Sequence, residues 1–176
     1  MSAGQPILFL DLDDVIVLGR GAQFSGYDVV SPDAPPELWD NLFHPTARLA
    51  LAEAVDEHDP RIVMTTSWLR FMDRAAFERL FTNAGMPALA ERLHAEWAVP
   101  QAPGQTRVVA IDRWFAKHYR DEPYVILDDE RSGVGLSGSV HDAHSRVVLC
   151  QAGVGLHRGH FPMIRIALSR KELRRG

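Results

Sequence analysis

Apolar residues gather into short unbroken blocks separated by stretches of helical period, and this alternation organises the chain. Residues 6–11, PILFLD, form a continuous apolar run too short for a helix, which suits a strand buried on both faces of a parallel sheet. RIVMTT, HAEWAV, YVILDD and RVVLC repeat the pattern and predict four more strands. Between them, TARLALAEAVDEH, SWLRFMDRAAFERLFTNAG and TRVVAIDRWFAKHY read as amphipathic helices, and FPMIRIALSRKEL predicts a closing helix. In the second of these helices Trp68, Phe71, Met72, Ala75, Phe77, Leu80 and Phe81 keep the helical period from Ser67 onward, and Gly85 suits a C-terminal cap. Strands alternating with helices predict an α/β fold, a doubly wound three-layer α/β/α sandwich around a central parallel sheet of about five strands. Residues 18–45 break the rhythm. Their many Gly, Pro, Ser and Asp residues predict an irregular flap or hairpin, a minimal cap on one domain spanning residues 1–176.

Composition narrows the function classes. With 176 residues, 46% of them hydrophobic, the chain has enough apolar content for a substantial core. The net charge of −4 gives no whole-chain attraction to nucleic acid, so any such contact rests on a local patch. The basic end, Arg170, Lys171, Arg174 and Arg175, reads as the solvated face of the last helix. The single cysteine, Cys150, closes an apolar run, which predicts a buried thiol, no internal disulfide and a reducing, cytoplasmic setting. No window approaches a membrane span, so a soluble protein without membrane contact is expected. Four late histidines, His141, His144, His157 and His160, lack a cysteine partner and a compact ligand pair; they are expected at the surface or on the substrate side of the site. Trp68 and Trp114 fit helix faces that pack on the sheet, whereas Trp39 stands freer.

In a sheet of this kind ligands lie outside the carboxyl ends of the strands. The first strand ends at Asp11, the second at Thr65 and Thr66, the fourth at Asp128 and Asp129, so the polar residues attached to three apolar strands converge on one edge. Clustered carboxylates repel strongly at low effective dielectric unless some take up protons or a cation intervenes. With oxygen donors only, the cation this set calls for is Mg²⁺, which binds through a few carboxylates and keeps places for water or a substrate phosphate.

The segment FLDLDDV resembles the first motif of the haloacid dehalogenase (HAD) superfamily, an apolar strand followed by Asp-x-Asp. IVMTTSW resembles its second motif and YVILDDE its acidic fourth, in the superfamily's order and spacing. TTSWLR, RVVAIDRWF, VILDDE and AGVGL together look like the small HAD domains of bacteria and phages, including those fused within RNA-repair proteins. The resemblance implies a Mg²⁺-dependent phosphohydrolase working through an aspartyl phosphate. Asp11 would be the nucleophile and Asp13 the general acid and base. Asp11, the main-chain carbonyl of Asp13, and Asp128 would hold the metal, with Asp129 as a further ligand or acceptor. Thr66, or else Thr65, would bind a phosphate oxygen, with Ser67 beside it as a helix cap or a substrate contact. The superfamily's third-motif lysine is matched in position by Arg107, with Lys117 as the second candidate. The residue after Asp13, usually Gly in the superfamily, is Asp14, which tolerates the same unusual backbone angles better than most. A small flap implies an open site, which in this superfamily tends to serve large substrates such as nucleic-acid ends or phosphoproteins; the expected partner is a phosphorylated substrate, a small molecule or the end of a nucleic acid or protein. The rival expectation is a weakly active or non-catalytic HAD-fold module that binds phosphorylated ligands.

Overall fold

The computed structural model describes residues 4–18 and 26–169. In chain order its elements are β1 (Ile7–Leu10), α1 (Gly26–Val29), α2 (Pro36–Asn41), α3 (Pro45–His58), β2 (Arg61–Met64), a 3₁₀ turn (Ser67–Arg70), α4 (Arg74–Asn83), α5 (Pro87–Glu91), β3 (Leu93–Ala98), α6 (Arg107–His118), β4 (Tyr124–Asp129), α7 (Val140–Ala143), β5 (Val147–Cys150), a second 3₁₀ turn (Arg158–His160) and α8 (Phe161–Ser169). The five strands form one sheet in the order β3-β2-β1-β4-β5, every pairing parallel. The first strand made is the central one.

Each apolar block serves both faces of the sheet, because successive side chains of a strand point opposite ways. Leu8 and Leu10 of β1 join Ile62, Met64, Val125 and Leu127 in a core shared with α3, α4 and α8. Ile7 and Phe9 join Val63, Ile126 and, on α6, Ala110, Ile111 and Trp114 in a second core on the other face. Two cores separated by one sheet give the three layers. Phe9 is fully buried, with Trp114 edge-on at 5.1 Å and Phe115 stacked at 5.3 Å between ring centres, so α6 is fixed against the middle of the sheet. Burial of one such side chain contributes about 1.5–3 kcal/mol.

Three expectations change. The helix predicted from Ser67 onward is two pieces: a 3₁₀ turn over Ser67–Arg70, then α4, whose start is set by Asp73 accepting a hydrogen bond from the Ala76 amide at 2.8 Å. An aspartate at that position competes for the backbone as an N-cap, so the apolar period runs across a break that period alone does not reveal. Gly85 follows α4 with φ +73°, the left-handed conformation that glycine adopts most readily. In the flap, the described part carries two short helices, α1 and α2, and Leu38, Leu42 and Phe43 enter the same core as β1 and β2. Trp39 is half-buried against that core and not the free aromatic expected. The basic residues from Arg170 onward lie outside the described residues. Among the described residues, no helix is long and apolar enough to cross a membrane.

Candidate active site

The first strand delivers Asp11 to the sheet's carboxyl edge, where its amide donates to the Leu127 carbonyl at 3.0 Å and so continues the pairing of β1 with β4. On the other side the Thr65 amide donates to the Leu10 carbonyl at 2.9 Å. Asp11, Thr65 and Asp128 thereby stand side by side on three neighbouring strands, all buried. Asp11, Asp128 and Asp129 each offer a carboxylate oxygen, and these oxygens all lie within 4.8 Å of one another.

Arg107 completes this group. It opens α6, is buried, and reaches Asp128 Oδ2 with Nε at 2.9 Å and Asp11 Oδ1 with Nη2 at 3.6 Å. The Nε–H is not aligned on the carboxylate, so the close approach to Asp128 is an ion pair without a hydrogen bond. Lys117, the other candidate cation, is exposed in the last turn of α6, about 15 Å of helix rise from Arg107, and the fold does not bring it to this edge. Of the two, Arg107 is the one that is buried and faces two carboxylates.

One cation among three buried carboxylates leaves charge unanswered. Burial, then the neighbouring Asp128 carboxylate, hold the Asp11 carboxyl well above its ordinary range, against the opposing pull of Arg107. Burial likewise raises Asp128, to about 6, again against Arg107. Asp128 Oδ1 accepts the Asp129 amide at 2.9 Å, and Asp129 Oδ1 accepts the Arg131 and Ser132 amides at 2.7 and 3.0 Å. The remaining oxygens, Oδ2 of Asp11, Asp128 and Asp129, are buried without a hydrogen-bond partner. Convergent, hard oxygen donors that lack hydrogen bonds, with Asp128 Oδ2 answered only by its ion pair to Arg107, fit a small divalent cation. A stability test follows. Because both pKa values are raised on folding, these two carboxyls contribute stability that is lost as pH rises from about 4 through about 6, whereas His58, His94 and His160, whose pKa values burial lowers, act in the opposite sense over the upper part of that window. In EDTA the Tm of the parent chain should therefore fall between pH 5 and pH 7 relative to that of Asp128→Asn, which keeps the same histidines, at about 2–4 °C per kcal/mol for a chain of this size; a difference that stays constant across that window would show that these carboxyls ionise freely.

Asp13 takes a different direction. Its carboxylate stands apart from the other three and accepts from the Trp68 indole Nε1–H at 3.0 Å, with the Ser67 hydroxyl at 3.5 Å from the same oxygen, Oδ2. Burial raises its pKa, while Trp68 and Ser67 hold it down. Trp68 is buried as the helix pattern required, but its polar edge was not legible in that pattern. Thr66 caps the 3₁₀ turn, its Oγ1 accepting the Trp68 amide at 3.3 Å, and the Thr65 Oγ1 is buried without a partner. The turn that Thr66 caps is only four residues long, so no extended helix lends its dipole to this spot.

Asp14 stands at φ +56°, the conformation in which a glycine would be at ease, and its Oδ1 accepts the Gly153 amide at 2.9 Å. The carboxylate that replaces glycine after Asp13 thus ties the first turn to the late loop. In that loop the Leu156 amide donates to the Val15 carbonyl at 2.8 Å, and a Cβ on Gly155, at φ +73°, would lie 2.8 Å from that same carbonyl oxygen. Only glycine allows this approach. The histidines had been expected at the surface or on the substrate side of the site; His160 is buried, and His141 is buried between Tyr124 Oη and Asp112, at 2.8 Å from each. Tyr124 opens β4, so His141 belongs to the opposite edge of the sheet from Asp11. Cys150 is buried as expected, its thiol pushed up to about 12 by burial and then by Asp128 and Asp129.

A parallel sheet whose central strand ends in Asp-x-Asp, with an acidic pair on the next strand, is the arrangement of a HAD-type phosphohydrolase domain. The model of the family described as the HAD domain in Swiss Army Knife RNA repair proteins matches residues 7–161, and the chain belongs to that family. Neither the curated proteins nor the solved structures include a match to the chain.

Proposed function

We propose that the protein is a Mg²⁺-dependent phosphatase that hydrolyses a phosphate monoester through an aspartyl phosphate on Asp11. The observation that carries this reading is the cluster itself: a buried Asp11 at the end of the central strand, 3.6 Å from a buried arginine and beside two further buried carboxylates whose Oδ2 atoms accept no hydrogen bond. Asp11, Asp128 and the main-chain carbonyl of Asp13 would hold the Mg²⁺, with Asp129 as ligand or neighbour. When bound there, the ion screens the carboxylates from an approaching phosphate dianion.

Asp11 attacks phosphorus; the Asp–phosphoryl bond forms as the ester P–O bond breaks. Asp13 gives its proton to the departing oxygen and later takes one from the water that attacks phosphorus and frees Asp11. Arg107 faces Asp11 Oδ1 and balances negative charge on the phosphoryl oxygens, as a lysine does elsewhere in the superfamily. Thr66 donates its hydroxyl hydrogen to a phosphoryl oxygen, since its oxygen already accepts the Trp68 amide. Thr65 is the second donor, favoured by its unpartnered Oγ1.

The substrate we assign is the phosphorylated end of a nucleic acid. Supporting this are the family's description, which places such domains in RNA repair proteins, and a groove that begins one residue past Trp68. The groove has a volume of about 510 Å³ and is lined by Leu69, Arg70, Phe71 and Arg79 among others. Both arginines are exposed, and the Tyr27 ring, also exposed, stacks on Phe71 at 4.5 Å. Cations beside stacked aromatics suit a single strand leading away from its phosphate. The test is phosphate release, with Mg²⁺ or with EDTA, from end-phosphorylated oligonucleotides, sugar phosphates, phosphopeptides and p-nitrophenyl phosphate. The oligonucleotide should give the highest kcat/KM, and EDTA should abolish release from all of them. Replacing Arg70 and Arg79 together by Ala should raise KM for the oligonucleotide about tenfold, far more than for p-nitrophenyl phosphate, and should flatten the salt dependence of binding. Equal effects on both substrates would remove the groove from the reading.

A further inference from the structure

The Trp68 ring is anchored from both ends. Its body is buried in the main core and tilted against Phe71 at 6.3 Å between ring centres; its backbone carbonyl accepts the amides of Phe71 and Met72 at 3.1 and 3.0 Å. The indole therefore has little freedom, and its one polar group, Nε1–H, points at Asp13 Oδ2. An indole nitrogen only donates, so the oxygen it faces must act as an acceptor. The carbonyl oxygen of a protonated carboxyl is the better acceptor, so two donors on Oδ2 favour a proton of the Asp13 carboxyl on Oδ1.

We propose that Trp68 is a positioning residue for the general acid: its indole N–H occupies Oδ2 of Asp13 and thereby fixes the transferable proton on Oδ1. This rests on the reading of Asp13 as the acid and base of a two-step hydrolysis. In the first step the Oδ1–H bond breaks as that proton joins the leaving alkoxide, while the ester P–O bond breaks and the Asp11–phosphorus bond forms. In the second step Oδ1 takes a proton from the attacking water, whose oxygen bonds to phosphorus as the Asp11–phosphorus bond breaks. One oxygen serves both steps because the other is held. Ser67 adds a longer contact to the same held oxygen.

The test separates positioning from packing by the leaving group. A p-nitrophenolate departs without needing a proton, whereas an alkoxide does not, and kcat/KM reports the step in which it leaves. Trp68→Phe keeps a buried ring and removes the donor. Its kcat/KM should fall ten- to a hundredfold further on an alkyl monoester than on p-nitrophenyl phosphate, a fraction of the whole general-acid effect. If Trp68→Phe does not fold, benzothienylalanine incorporated at position 68 replaces the N–H by sulfur at nearly the same shape and should give the same selective loss. Equal losses on both esters, or none, would overturn the proposal. Asp13→Asn measured alongside locates the fault. If Asp13→Asn shows the selective loss and the Trp68 variants do not, only the positioning role fails. If Asp13→Asn leaves the ratio of the two esters unchanged, the acid–base reading fails and the proposal falls with it.

Discussion

Asp11→Asn should fold like the parent chain and release no measurable phosphate, a loss of at least about a thousandfold, or some 4 kcal/mol of barrier. The amide is nearly isosteric with the carboxylate but cannot accept a phosphoryl group. The fold should even gain, because the substitution removes a carboxylate whose ionised form burial and Asp128 both oppose. A metal-free Asp11→Asn protein should therefore melt at or above the parent's temperature at pH 7, while Mg²⁺ raises its Tm less than it raises the parent's. Mass spectrometry of the parent chain, quenched during turnover, should find phosphate on Asp11 and on no other carboxylate. Full turnover in Asp11→Asn would end the covalent mechanism. Phosphate-ester binding without turnover in the parent chain would favour the rival module that holds phosphorylated ligands but does not cleave them.

The second large effect is expected at Arg107. Arg107→Ala should lower kcat/KM on one monoester, at saturating Mg²⁺, by about a hundred- to a thousandfold, the usual consequence of deleting a preorganised charge partner of the transferring group. Arg107→Lys should recover part of the loss, since a point charge still faces Asp11 but the planar fork that spans Asp11 and Asp128 is gone. Lys117→Ala should leave the rate near the parent's. The substitution also has a signature in the absence of substrate. Arg107 lowers the pKa of both Asp11 and Asp128, so without it both carboxyls titrate still higher, and the metal-free protein should lose more Tm between pH 5 and pH 8 than the parent does. An Arg107→Ala enzyme with parental kcat/KM would mean that another cation completes the site.

What the sequence disclosed follows from how each residue came to its place. Asp11, Thr65 and Asp128 were legible because each terminates an apolar run, and the pairing of parallel strands brings such termini to one edge. Arg107 was legible as a position, at the start of a helix, but its choice over Lys117 depended on which helix end meets the carboxyl edge, a tertiary fact. Asp13's partner was hidden because Trp68 satisfies an apolar pattern by its ring and a polar site by a single N–H, and periodicity records only the first. The break before Asp73 was hidden for a similar reason: one capping side chain redirects the backbone without disturbing the apolar spacing. His141 was misplaced because its partners, Tyr124 and Asp112, are distant in sequence, and their hydrogen bonds make burial of an imidazole acceptable.

The bond between Asp14 and the Gly153 amide joins residues 139 positions apart, and the central strand is the first one made. During synthesis on the ribosome, β1 can pair with β2 early, but its other edge waits for β4. An unpaired inner edge is a template for wrong partners, so that side of β1 stays open to mispairing until β4 is made. The order of emergence also sets the order of charges: Arg107 leaves the exit tunnel before Asp128. The guanidinium is thus on hand when the second acidic strand docks beside Asp11, and the acidic edge closes with its counter-charge already made.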